Sequence, residues 1–323
     1  MPMKSPFDHP GPAIAIAGVG LIGGSLAAAL KRHGLAGTVL GIDTDTDGLT
    51  LARRLGYIDQ GANPDDAPDL LAEVDILFLS TPIDVIPETA AALLPCLSPG
   101  TIVTDVSSSR DGMRQALTRR LPEDCFFVGG HPMAGSEKRG VQWASPDLFD
   151  GATYALFPGP GTPLAVTERL ARLLTGIGAR PTVMSEEDHD GAVAYTSHLP
   201  YIASAALVAA AMNSPLPAGV LRQLAASGFR DTSRLASGDP GLNWAMCARN
   251  RRNVLNALQD FQRELGNLID ELSREPKAPP GDGNRHPQAL LGLGPFRAKL
   301  LNDGDNGSNR DMKNKIWEDA GGS

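Results

Sequence analysis

The sequence predicts an α/β fold: a doubly wound parallel sheet over residues 11–184, then an all-α segment over 185–273. Three observations carry this. A glycine turn, Gly18-Val19-Gly20-Leu21-Ile22-Gly23-Gly24-Ser25, joins the apolar run Ala13–Ala17 to a helix-forming stretch, Leu26–Leu30. Apolar runs without polar alternation then recur, as in strands covered on both faces, with helical stretches between them. Beyond about residue 185 no convincing strand signal follows, and apolar residues recur at helical spacing.

Taken in order, Ala13–Ala17 reads as the first strand and Thr38–Ile42 as the second, ending in Asp43. A helix follows through Leu51–Leu55. Asp75–Ser80 is the next strand and Pro82–Leu97 a helix, with proline tolerated at its first turn. Thr101–Val106 is a strand, Ser109–Leu121 a helix and Phe126–Val128 a strand. Strand signals return at Thr153–Phe157 and Pro181–Met184, joined by a helix over Val166–Leu174. Ser185, with Asp188 three residues on, is a helix start signal, so a domain boundary is expected near 180–188. A long helical stretch over Leu242–Leu272 carries Leu255, Leu258, Phe261, Leu265, Leu268 and Leu272 on one stripe, which suits a core or a dimer seam. Residues 274–323, rich in Pro, Gly, Asp and Asn, lack the composition of a packed core, and most of them are expected to be disordered.

A strand, G-x-G-x-x-G and a helix in that order form the fingerprint of a Rossmann-type dinucleotide site. Gly18 permits the tight turn, Gly20 lets the backbone approach a pyrophosphate, and Gly23 lets the helix pack close to the strand. Leu21 and Ile22 complete the turn, and the helix start offers N–H groups to phosphates. Asp43 lies 20 residues after Gly23, where a carboxylate hydrogen-bonds ribose hydroxyls and repels a 2′-phosphate. NAD is therefore expected over NADP. The competing reading is that Asp43 only starts a turn or caps a helix.

Composition limits the function classes. The chain has 323 residues, 42% hydrophobic and 20% charged, with a net charge of -8, which argues against nucleic acid or an anionic membrane as partner. No apolar stretch near the N-terminus suits a signal peptide, and no run of 18 apolar residues is present. Cys96, Cys125 and Cys247 are odd in number and widely spaced, so reduced cysteines in a cytoplasmic protein are expected, with no metal site.

Ligands in such sheets sit beyond the carboxyl ends of the strands, and three polar clusters fall there. Ser80-Thr81-Pro82 is either a cofactor contact or an ordinary helix start. Asp105-Val106-Ser107-Ser108-Ser109-Arg110 offers three hydroxyls, one of them a helix cap and another placed to orient a base. Gly129-Gly130-His131-Pro132-Met133-Ala134-Gly135-Ser136-Glu137 holds a histidine on a stiff backbone, the side chain suited to take an alcohol proton during hydride transfer.

The stretch Gly130–Glu137 resembles the signature of the prephenate and arogenate dehydrogenases of tyrosine biosynthesis. Ser197-His198-Leu199-Pro200 resembles that family's second motif, and Gly228-Phe229-Arg230-Asp231-Thr232-Ser233-Arg234 its third. The resemblance covers roughly residues 13–272. It implies a Rossmann domain plus a helical domain of the 6-phosphogluconate-dehydrogenase type that forms a homodimer, and oxidative decarboxylation of a small cyclohexadienyl substrate. It also implies that His131 is the base, that Ser108 orients it and contacts the nicotinamide, and that His189 and His198 belong to the site. Arg234 would clamp a substrate carboxylate, with Ser197, Tyr201 and Glu137 nearby. Arg234 could instead pair with Asp231 or Asp239, His189 could be a helix-start polar residue, and His198 could satisfy a carbonyl freed by Pro200.

The chain departs from the family pattern in places. Tyr201 stands where many members carry a second histidine, leaving the choice between prephenate and arogenate open; Ser107 and Arg110 stand where glycine and lysine are common. Two other classes compete with this reading. A β-hydroxyacid or imine dehydrogenase would rely on a lysine in the helical segment, and every basic residue between 185 and 272 other than histidine is an arginine. A non-catalytic NAD sensor would not need Ser108, His131 and Arg234 together.

Overall fold

The computed structural model describes residues 11–136, 138–274, 290 and 293–302. Its centre is one eight-stranded sheet in the order β3-β2-β1-β4-β5-β6-β7-β8. The strands are β1 (Ala13–Ala17), β2 (Thr38–Ile42), β3 (Gln60–Ala62), β4 (Ile76–Leu79), β5 (Ile102–Asp105), β6 (Phe126–Pro132), β7 (Thr153–Pro158) and β8 (Arg180–Val183). β1 to β6 are parallel, in the doubly wound order expected of a dinucleotide fold. β7 runs antiparallel to β6, and β8 parallel to β7, so the sheet is mostly rather than wholly parallel.

The central strands β1 and β4 are apolar because the sheet has a core on each face. Ile14, Ile16, Ile76 and Phe78 enter one core, while Ala15, Ala17, Leu77 and Leu79 enter the other. Alternate side chains point to opposite faces, so both sets must be apolar. Helices α1 (Leu21–Arg32), α2 (Thr46–Arg54), α3 (Ile86–Leu93), α4 (Met113–Thr118) and α5 (Leu164–Gly176) connect the strands.

Several sequence expectations change here. β3 is only three residues long, Gln60-Gly61-Ala62, with no apolar run to announce it. The helices expected over 82–97 and 109–121 shrink to α3 and α4. Pro87 sits in the first turn of α3, where proline is tolerated, and Pro95 follows its end; the second starts only after Gly112, whose φ of 70° lies in the left-handed region. β6 continues through His131 to Pro132 because β7 pairs with it there, with His131 opposite Ala155. The candidate base is thus on a paired strand rather than in a loop.

After β8 all described elements are helical: α6 (Glu186–Val193), α7 (Leu199–Met212), α8 (Ala218–Leu224), α9 (Ser227–Ser233), α10 (Pro240–Arg249), α11 (Arg251–Ser273) and α12 (Leu293–Asn302). Ser185 caps α6 by accepting from the Asp188 N–H, and its hydroxyl donates to the Asp188 carboxylate. A π-helical turn, Ala194–His198, joins α6 to α7. The whole run Glu186–Met212 is long and apolar enough to cross a membrane by length and composition, with a mean hydropathy of 1.2 and 22% of that window buried. It nevertheless carries the buried polar residues His189, Asp190, His198 and Ser204.

Contacts divide the chain between Val254 and Leu255. The second unit contains the rest of α11 and α12. There the stripe residues Leu255, Phe261, Leu265 and Leu272 are exposed. α12 is a structured element inside the stretch expected to be mostly disordered; residues 275–289 and 303–323 lie outside the described residues.

Candidate active site

The glycine turn is built by close approach. Gly18 has φ 93°, and a Cβ on it would lie 2.6 Å from the Ser80 carbonyl carbon and the Thr81 nitrogen. A Cβ on Gly23 would collide with the Gly18 carbonyl oxygen. A Cβ on Gly20 meets nothing within 4 Å. The protein therefore does not require glycine at position 20 for its own packing, whereas a ligand approaching the backbone there would. Asp43 accepts from the Val19 N–H at 2.7 Å and from the Asp45 N–H at 3.0 Å, so it pins the turn. The helix-capping role belongs to Asp45, which accepts from the Gly48 N–H.

Three features of this edge fit a dinucleotide. No side chain caps the start of α1, so its first N–H groups are available to a pyrophosphate. The Ser80 hydroxyl is buried without a hydrogen-bond partner, and such an atom in a native fold calls for an explanation. No basic residue stands in the Asp43–Asp47 segment to receive a 2′-phosphate. Gly135, in the loop after β6, lies over this edge, since a Cβ on it would be 3.7 Å from Ile22.

Three strands along the same sheet, at β6, stands a chain of hydrogen bonds. His131 Nδ1 lies 2.8 Å from His189 Nε2, and His189 Nδ1 lies 2.8 Å from Asp190 Oδ1. The Asp190 carboxylate also accepts from the Arg110 N–H, at 3.1 and 3.0 Å, and from the Ser109 hydroxyl at 3.4 Å. An ionised carboxylate only accepts, so His189 Nδ1 carries a hydrogen. A neutral imidazole has one donor and one acceptor, so His189 Nε2 accepts from His131 Nδ1. His131 Nε2 is left with a lone pair. Burial, with His189 and the Arg110 guanidinium close by, holds the His131 pKa down at about 3.

Below this chain lies a buried ion pair. Arg110 donates to both Asp105 oxygens, at 2.7 and 3.0 Å. Ser107 donates to Asp105 through its hydroxyl and its N–H, and the Gly130 N–H donates at 3.1 Å. Asp105 thus ties β5 to β6 next to His131. On the helical side, Asn250 Nδ2 donates to the Asp190 carbonyl at 2.6 Å and lies 3.3 Å from His198 Nδ1. His198 is fully buried, with its Nε2 unpartnered and its pKa pushed down to about 4 by burial.

The structure therefore brings together His131, His189 and, through Asp190 and Asn250, His198. It brings the Gly18 turn to Asp43 and Ser80, with Thr81 and Pro82 following at the strand end. Ser108 is half-buried, and the contact that orients the His131 ring comes from His189. Ser197 and Tyr201 are half-buried on the π-helical turn and α7. Arg234 is exposed; Asp231 pairs with Arg230 and Asp239 with Arg139, so neither alternative partner holds it. Glu137 lies outside the described residues. Sequence reasoning missed Asp190 and Asn250 and gave Asp105 and Arg110 no role. The available signals were an acid directly after His189 and an Asp–Arg pair five apart at a strand end.

Known proteins resemble this chain over both of its halves. The family profile described as "Prephenate dehydrogenase, nucleotide-binding domain" matches residues 26–183, and "Prephenate dehydrogenase, dimerization domain" matches 185–278. The prephenate dehydrogenase of Bacillus subtilis is 34% identical over 266 residues, covering 81% of this chain and 70% of the relative. The cyclohexadienyl dehydrogenase of Zymomonas mobilis is 31% identical over 263 residues, covering 81% and 87%. Among solved structures, Synechocystis arogenate dehydrogenase matches with a TM-score of 0.71 and 36% identity, covering 81% of this chain and 92% of that one. Prephenate dehydrogenase from A. aeolicus, in complex with hydroxyphenyl propionate and NAD+, matches with a TM-score of 0.76 and 31% identity, covering 82% and 92%. With both halves matched in order, the chain belongs to the prephenate dehydrogenase family.

Proposed function

We propose that this protein catalyses the NAD-dependent oxidative decarboxylation of prephenate to 4-hydroxyphenylpyruvate, or of arogenate to tyrosine. The observation that carries it is the chain from Asp190 through His189 to His131, which leaves His131 Nε2 as a free base. The residues that would hold NAD are Gly18, Gly20, Leu21, Ile22 and Gly23 at the pyrophosphate, Asp43 at the ribose, and Ser80, Thr81, Pro82 and Ser108 towards the nicotinamide. NAD supplies the hydride acceptor.

His131 Nε2 takes the proton of the ring hydroxyl as the C–O bond becomes a carbonyl. Asp190, acting through His189, stabilises the imidazolium that forms. This support matters because a pKa near 3 in the free protein makes an unaided imidazole a weak base. The new carbonyl is the electron sink for loss of the ring carboxylate as CO2, and the ring becomes aromatic. The phenolate oxygen then takes a proton back from His131, so the base ends each turnover as it began. Arg234 offers a planar fork for a substrate carboxylate, and the family resemblance would assign Ser197, Tyr201 and Glu137 to the substrate side chain.

The sheet domain, residues 11–184, would bind the cofactor, and residues 185–273 the substrate and a second copy of the chain. Exposed Met212, Leu216, Leu224 and Trp244, on the helical segment after β8, support the homodimer. Three free cysteines suit the reducing cytoplasm. The test is to mix protein with NAD and each substrate and follow absorbance of the reduced cofactor; no signal with either overturns the proposal.

A further inference from the structure

We infer that Ser204 is a positioning residue: from α7 it holds the turn that carries Arg234, and so sets the affinity for the substrate carboxylate. This role rests on Arg234 binding that carboxylate, as proposed above, and names the residue that keeps the guanidinium in place.

Arg234 opens a short 3-10 turn, Arg234–Ser237, directly after α9. Neither element has a buried residue. Apolar burial within the chain therefore does not fix where the turn sits. Its own bonds do not either. The Ser237 hydroxyl donates to the Arg234 carbonyl at 2.7 Å, and the Gly238 N–H to the Leu235 carbonyl at 3.2 Å. Both bonds are local to the turn, and short 3-10 pieces are weakly held by such bonds. Asp239, beyond the turn, pairs with Arg139, but both side chains are exposed, and such pairs are screened by salt and contribute little.

Ser204 supplies an anchor from outside the turn. Its hydroxyl accepts from the Ala236 N–H at 3.0 Å, across 32 residues of chain. α7 is rich in Ala, Leu, Ile and Val, yet the one residue it buries is this serine, 2% exposed. Burying a hydroxyl is unfavourable unless it is hydrogen-bonded, and alanine is the better helix former. Serine at this position therefore does nothing for α7 itself; what it adds is the bond to the turn. Ala236 is two residues from Arg234. Tyr201 precedes Ser204 by three residues, which places both on one face of α7. The bond thus seats the Arg234 turn against the helix face that carries Tyr201.

The test is steady-state kinetics of Ser204→Ala, Arg234→Gln and the double variant in the full chain, with NAD saturating and prephenate or arogenate varied. Ser204→Ala should raise KM for the substrate about fivefold, the effect of losing one neutral hydrogen bond. Its kcat should stay unchanged, because a contact made equally in the ground and transition states moves KM alone. Arg234→Gln should raise KM about tenfold or more, as loss of a charged hydrogen bond does. Adding Ser204→Ala to Arg234→Gln should raise KM no further, since one residue acts through the other. An additive rise in the double variant, or a fall in kcat with Ser204→Ala, marks a general loss of structure and overturns the positioning role. So does an unchanged KM in Ser204→Ala where Arg234→Gln raises it. An unchanged KM in Arg234→Gln overturns the reading of Arg234 itself, and the positioning role falls with it.

Discussion

His131 Nδ1 and His189 Nε2 face each other at 2.8 Å, and His189 is in turn fixed by Asp190 at 2.8 Å. The relation sets the tautomer of His131, and with it the direction from which a substrate hydroxyl must arrive. Asp190→Asn presents an amide to His189 Nδ1 and removes the carboxylate that stabilises the imidazolium. We expect kcat to fall roughly 10²–10⁴-fold, with KM for both substrates little changed. Steady-state kinetics check this, and an unchanged kcat would remove Asp190 from the relay.

The buried histidines make the fold acid-sensitive. The His131 and His198 pKa values are lowered to about 3 and about 4 from an ordinary 6.5. The unfolded chain therefore binds protons that the folded chain refuses. Stability is full above pH 6.5 and falls as pH drops through the window from 6.5 towards 4 and 3, by up to about 1.4 kcal/mol per pH unit for each histidine. Calorimetric Tm values across this range should show that slope, and His131→Asn should reduce it.

Gly20→Ala and Gly23→Ala separate ligand from packing. Gly20 has open space at its Cβ position, so Gly20→Ala should keep the wild-type Tm while raising KM for NAD about tenfold or more. Gly23 has none, and Gly23→Ala should lower Tm outright. Equal Tm losses in both variants would contradict the assignment.

Removing Arg110 leaves Asp105 charged and buried. Arg110→Ala should cost about 3–5 kcal/mol in urea unfolding, because both residues are almost fully buried. Arg110→Lys keeps the charge but loses the forked contact, and should fall in between.

Leu224 is 76% exposed and Trp244 is 67% exposed. Leu224→Glu should convert a dimer to monomer in light scattering. A monomeric wild-type chain would remove the homodimer from the proposal.

The sequence alone determined the doubly wound sheet, the glycine turn and its acid, and the candidate base His131. Those signals are local: strand apolarity reflects two covered faces, and G-x-G-x-x-G reflects close backbone approach at Gly18 and Gly23. Tertiary structure decided the rest. The reversal of β7 follows from pairing with β6, not from anything in its own residues. Asp190 lies 80 residues beyond Arg110, and Asn250 another 60, yet both meet at the histidine chain. Such contacts join residues by packing across the chain, and no local spacing encodes them. Which imidazole nitrogen is free was therefore settled only when β6, α6 and the start of α11 came together.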